Sequence, residues 1–247
     1  MIFLKAVSKV QVRTKEINPA LQSLFENCNQ TIFLDANFFI VPDRSRIGAK
    51  AIAFDRYKEY WLDPLFDAFS NLSVHESVYK ELVDGKIKDF VDHKIRGIPK
   101  QLQIHTDREL TERERCLLEF QISRMAPYSG YIPERDNAKD RGEIRSLAYM
   151  AVKKYLYFAA NDNLPMHLIC HAKELETGLD DMKLLQSYEV IYYLYKMEKY
   201  DTKGLRMLYK YQYYLTGQEK RKNPDWGVFI VEMDQTYFST NKTKILK

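Results

Sequence analysis

The stretches TIFLD at residues 31–35 and YFAAND at residues 157–162 decide the fold. Each is a compact run of apolar, aromatic or β-branched residues ending in an acid, as expected of a buried strand whose carboxyl end reaches solvent. Between them the chain alternates. LSV at 72–74 reads as a second strand followed by the helix HESVYKELV, in which Val78 and Leu82 face inward beside Glu81. LQIH at 102–105 reads as a third strand. Thr106 or Asp107 then caps a long helix, RELTERERCLLEFQISRMA, and the polar stretch PYSGYIPERDNAK reads as a loop. Over residues 140–155, DRGEIRSLAYMAVKKY places Ile144, Leu147, Ala148 and Ala151 on one helix face. Strands alternating with helices imply an α/β fold, a parallel doubly wound sheet flanked by helices.

Outward from this core, Asn18 followed by Pro19 opens a short helix through Asn27. PDRSRIGAKA at 42–51 is polar and basic and reads as an exposed loop. It precedes a helix over residues 53–70 with an inward stripe of Phe54, Tyr57, Trp61, Leu65 and Phe69. Beyond residue 186, SYEVIYYLYKMEKY and TKGLRMLYKYQYYLTG read as two tyrosine-rich helices, and WGVFIVEM at 226–233 reads as a late strand. The expected division is an α/β domain over residues 1–186, including the N-terminal helix, and a mainly helical extension over 187–247.

Composition bounds the function. With 247 residues, 45% hydrophobic and 29% charged, the chain can bury a full core, and its net charge of +4 permits a polyanionic partner without requiring one. Cys28, Cys116 and Cys170 are too few and too widely spaced for a disulfide framework, so they read as buried thiols in a reducing compartment. The opening MIFLKAVSKV has too short an apolar run for a signal peptide. No segment approaches the roughly 20 apolar residues that span a bilayer, so a cytoplasmic location is expected. His167, Cys170 and His171 lack a fourth ligand at zinc spacing, no Gly-x-Ser-x-Gly elbow supports serine catalysis, and no glycine-rich phosphate loop is present.

The acids carry more information. In an open parallel sheet, ligands sit beyond the carboxyl ends of the strands, so acids placed just after strands converge although they are distant in sequence. Asp35 follows TIFL, and Asp162 follows YFAA with Asn161 between; Glu81 and Glu143 sit on flanking helices beside small or apolar residues. Crowded carboxylates raise one another's pKa unless hard cations such as Mg²⁺ or Mn²⁺ compensate them. Such ions activate water and orient a phosphodiester. Asp140 shares the helix face of Glu143 and reads either as a further metal ligand or as a charge favoured by the helix dipole. Arg44, Arg46, Lys50, Lys139, Arg141 and Arg145 flank the acids and are candidates to hold phosphates, with solvated loop charge as the alternative. The tyrosines among the lysines and arginines of 196–222 suit either base stacking or, more often, a core or partner interface.

Taken in order, IFLDANFFI, SVYKEL, GEIRSLAYMA and YFAANDN resemble the four acidic motifs of the PIN-domain nucleases over roughly residues 30–185. The resemblance implies Asp35, Glu81, Glu143 and Asp162 as catalytic metal ligands, with Asn37 and Asn161 supporting the site and Mg²⁺ or Mn²⁺ as cofactor. It implies an endoribonuclease acting on RNA, commonly dimeric in that family, and leaves room for a cognate inhibitor protein. The competing expectations are an inactive PIN-like module that binds RNA or serves assembly, and a structure-selective DNA nuclease.

Overall fold

The computed structural model describes residues 11–83 and 85–238; the opening decapeptide, read above against a signal peptide, lies outside them. In chain order the elements are α1 (Pro19–Glu26), β1 (Ile32–Leu34), α2 (Phe54–Tyr57), α3 (Asp63–Ala68), β2 (Leu72–His75), α4 (Glu76–Glu81), α5 (Lys86–Arg96) and β3 (Leu102–His105). There follow α6 (Glu112–Met125), α7 (Arg141–Lys153), β4 (Tyr157–Ala159), α8 (Asn163–Cys170), β5 (Lys183–Leu185), α9 (Ser187–Lys196), α10 (Thr202–Tyr213), α11 (Gly217–Lys222) and α12 (Trp226–Phe238). No helix among the described residues is long and apolar enough to cross a membrane.

The chain sorts into two compact units. One comprises Asn29–Val41 and Phe69–Leu185. The other comprises the described parts of Met1–Cys28, Pro42–Ala68 and Gln186–Lys247. The sequence division at residue 186 groups the N-terminal helix and the 42–68 segment with the sheet, whereas here they cluster with Gln186–Lys247. The N-terminal helix and residues 42–68 belong with the C-terminal residues, and their inward side chains Leu21, Leu24, Tyr57, Trp61 and Leu65 are buried; Phe69 falls in the sheet unit.

In the first unit five strands form one all-parallel sheet of order β3-β2-β1-β4-β5, flanked by helices. The order reverses at β1, so the crevice between the carboxyl ends of β1 and β4 is a topological switch point, where open α/β sheets bind ligands. The core joins Phe33 and Phe158 of the strands to Leu118 and Ile122 of α6 and Ile144 and Leu147 of α7. Burying such side chains contributes roughly 1.5–3 kcal/mol each. The helix α6 starts later than the sequence reading put it. Thr111, not Thr106 or Asp107, is its cap, through a reciprocal pair in which Thr111 Oγ1 accepts from Glu114 N at 3.3 Å and Glu114 Oε2 accepts from Thr111 N at 2.9 Å.

In the second unit α2 and α3 are joined by a π-helical turn over Lys58–Leu62. Pro64 supplies the cause, since it has no N–H to donate to the preceding turn. The unit's core is aromatic: Tyr57, Trp61, Tyr188, Tyr192, Tyr209 and Phe229 are almost fully buried. Tyr209 and Phe229 stack with centroids 4.4 Å apart. Of the tyrosines over 196–222, Tyr209, Tyr211 and Tyr213 are thus interior and Tyr200 and Tyr214 partly exposed. WGVFIVEM is not a strand but the start of α12, where buried Trp226, Phe229, Ile230 and Met233 recur at helical spacing. Its valines mislead, because Val228 and Val231 are exposed. The three cysteines are exposed rather than buried, Cys116 lying off the inward stripe of Leu118, Ile122 and Met125.

Candidate metal centre

Register brings the first two acids together. Leu34 pairs with Ala159 across the β1–β4 ladder, and Asp35 N donates to Ala159 O at 2.9 Å, so both strands leave the sheet side by side. Asp35 is buried, while Asp162 lies one turn of chain further on and is exposed. Asn37 ties them. Its Nδ2 donates to Asp162 Oδ2 at 2.9 Å, and its Oδ1 accepts from Asn161 N at 3.2 Å.

Glu143 arrives from the N-terminal turn of α7, whose neighbours Ile144, Leu147 and Ala148 are locked in the core. Oxygens of Asp35, Glu143 and Asp162 all lie within 4.8 Å of one another, a spacing suited to one hard cation. Burial pushes the Asp35 carboxyl up to about 7, helped by the Asp162 and Glu81 charges, against hydrogen bonds from the backbone at Ala36 and Asn37. Burial likewise pushes Glu143 up to about 10, with further contributions from Asp35, Asp162 and Asp140.

Glu81 approaches this triad without joining it. Its Oε1 accepts from Gly142 N at 3.0 Å, so its carboxylate sits over the N-terminus of α7, a favoured place for an anion. Burial raises its pKa against the Gly142 bond and the Arg141 charge. The contact explains Gly142: a Cβ there would lie 2.8 Å from Glu81 Cδ, so any other side chain displaces the glutamate or the helix. Asp140 sits immediately before α7 in the left-handed region (φ 57°), and its Oδ2 accepts from Gly130 N at 2.6 Å. One of its oxygens is thereby committed to the loop, although its charge reaches Glu81 and Glu143.

The basic candidates separate. Lys139 and Arg141 stand at the start of α7, the first exposed and the second held by Asp136 at 3.4 Å. Arg145 is bound to Asp107 and lies 3.4 Å from Tyr131 Oη, so the expectation that it meets phosphate gives way to a role inside the protein. Arg46 and Lys50 are exposed residues of the other unit. Arg44, in the same unit, is buried against Glu219 and donates to Gln212 O at 2.7 Å. Its guanidinium is therefore engaged within that unit.

Sequence reasoning missed His75, Ser77 and Asp107, which meet α7, the helix that carries Glu143, at Tyr149, Gly142 and Arg145. His75 ends β2 at the same rim and was open to the strand-end logic applied to Asp35. No family model, no curated protein and no solved structure matches the chain.

Proposed function

We propose that the chain is a PIN-type, Mg²⁺- or Mn²⁺-dependent endoribonuclease. The observation that carries this reading is the convergence of Asp35, Glu143 and Asp162 at the switch point of a parallel sheet. Two of the three resist ionisation there, and a divalent cation restores the balance of charge. The donors are all oxygen, which suits Mg²⁺ or Mn²⁺ rather than a softer metal. Such a cation, when bound, polarises a phosphoryl oxygen and makes water more acidic.

The chain's own groups do the rest. Asn37 fixes the orientation of Asp162, Glu81 anchors the turn that carries Glu143, and Lys139 and Arg141 offer positive charge to a substrate backbone. RNA as the substrate rests on the resemblance of the four ordered motifs. The burial of Tyr209, Tyr211 and Tyr213 disfavours the alternative of a binding module that stacks bases on its tyrosine-rich helices.

The test is cleavage of labelled single-stranded RNA and DNA of the same sequence by wild type and Asp35→Asn with Mn²⁺ or Mg²⁺. RNA cleavage that falls by roughly a thousand-fold in the variant, equivalent to several kcal/mol of transition-state stabilisation, is expected. Cleavage of DNA alone would make it a deoxyribonuclease, and equal behaviour of the two proteins would remove the enzyme.

A further inference from the structure

We infer that His75 is a positioning residue for Glu143: it grips the helix carrying that carboxylate on both sides of it. The inference rests on the reading of Asp35, Glu143 and Asp162 as a cation site. His75 is fully buried at the carboxyl end of β2, and both ring nitrogens are engaged. Nε2 lies 3.1 Å from Asp107 Oδ1, and the other oxygen of Asp107 holds Arg145 of α7. Nδ1 accepts from Ser77 N at 3.3 Å and lies 2.6 Å from Ser77 Oγ. The one proton of that hydroxyl serves Nδ1, and its oxygen packs 3.4 Å from Gly142 O, also on α7. One imidazole therefore reaches residues 142 and 145, and Glu143 lies between the two anchor points.

The charges agree with this wiring. Burial alone would push the Asp107 carboxyl up, but the hydrogen bonds from His75 and Arg145 outweigh it and hold the group at about 2. Asp107 is then an ionised acceptor at neutral pH, the partner that an Nε2–H requires. Its backbone N also donates to Glu76 Oε1 at 2.9 Å, so the loop bearing it is itself held.

The Ser77–His75–Asp107 order invites comparison with a nucleophilic relay, but Ser77 is 4% exposed and its hydroxyl faces a backbone carbonyl. It can reach no substrate. Groups that orient metal ligands from behind typically alter metal affinity by roughly 10–100-fold when removed.

The experiment is Mn²⁺ binding by calorimetry on the full chain, with melting curves for every variant. His75→Ala is expected to bind Mn²⁺ at least about tenfold more weakly, Ser77→Ala to weaken it through the Gly142 arm alone, and His75→Gln, which restores an N–H toward Asp107, to recover part of the loss. Ser73→Ala, which removes a different buried hydroxyl, 3.3 Å from His105 Nε2, is the control and should bind as wild type does. If His75→Ala does not fold, Ser77→Ala decides. Wild-type affinity in a folded His75→Ala, or in Ser77→Ala, overturns the inference. Failure of the wild type to bind Mn²⁺, or equal binding by Asp35→Asn, overturns the cation site instead. Amide exchange then reads the grip without metal: selectively faster exchange at 142–145 in His75→Ala sustains it, and unchanged exchange there ends it.

Discussion

Replacing Asp35 by Asn, or Glu143 by Gln, should raise the melting temperature of the metal-free protein at pH 8 by roughly 5–10 °C. A carboxyl whose folded pKa is raised contributes stability that is complete below its unfolded value, near 4, and is lost as pH climbs through its folded value. For Asp35 that loss runs to about 7, and for Glu143 to about 10. The wild type should therefore melt progressively lower between pH 4 and pH 10 when metal is withheld. Each neutral substitute removes a cost on the order of 3 kcal/mol at pH 8, and the amide of Asn keeps an oxygen for the backbone N–H groups that Asp35 accepts from. Added Mn²⁺ should reverse the loss in wild type by mass action and leave the variants unmoved. Variants that melt lower than wild type across this range would show that the acids are stabilised by the protein itself.

Arg44→Met should cost about 3–5 kcal/mol in the unit built from the chain's ends and the 42–68 segment. The Arg44–Glu219 pair is buried, with side chains 10% and 5% exposed. Removing the cation leaves Glu219 desolvated and unpaired. Glu219 Oε2 also accepts from Leu215 N at 3.0 Å and Thr216 N at 2.9 Å, so the start of α11 would loosen with it. Thermal melting and RNA affinity by fluorescence anisotropy separate the two roles open to this arginine. A melting loss with affinity kept per folded molecule fits the buried pair, whereas a loss of affinity at unchanged melting temperature would make Arg44 a phosphate contact.

The case of Arg44 shows where sequence stops being legible. Its neighbours, Arg46 and Lys50, look the same in a polar basic segment, yet the partner that buries Arg44 lies 175 positions away. Local pattern located β1, β2, β3 and β4, most directly β1, a fully buried and unbroken apolar run, and least directly the edge strand β3, where Gln103 is exposed. It was insufficient for β5, a three-residue strand that includes Lys183. WGVFIVEM at 226–233 was misread because an apolar run with valines at its exposed positions suits either period until the partners are known. Among the acids, strand-end placement located Asp35 and Asp162 directly. The spacing of Gly142 and Glu143 made sense only once Glu81 was seen against the Gly142 amide, a contact between residues 61 positions apart. For His75 the strand-end position was legible but its partners were not, since Asp107 and Arg145 lie 32 and 70 positions further along the chain and only the fold brings them together.

The central claim is that Asp35, Glu143 and Asp162 share one divalent cation, and crystals soaked in Mn²⁺ test it by anomalous scattering. A single strong peak within about 2.0–2.4 Å of oxygens from all three side chains is the predicted result. Crystals whose acids keep their positions at saturating Mn²⁺ and pH 8 with no peak among them would contradict it.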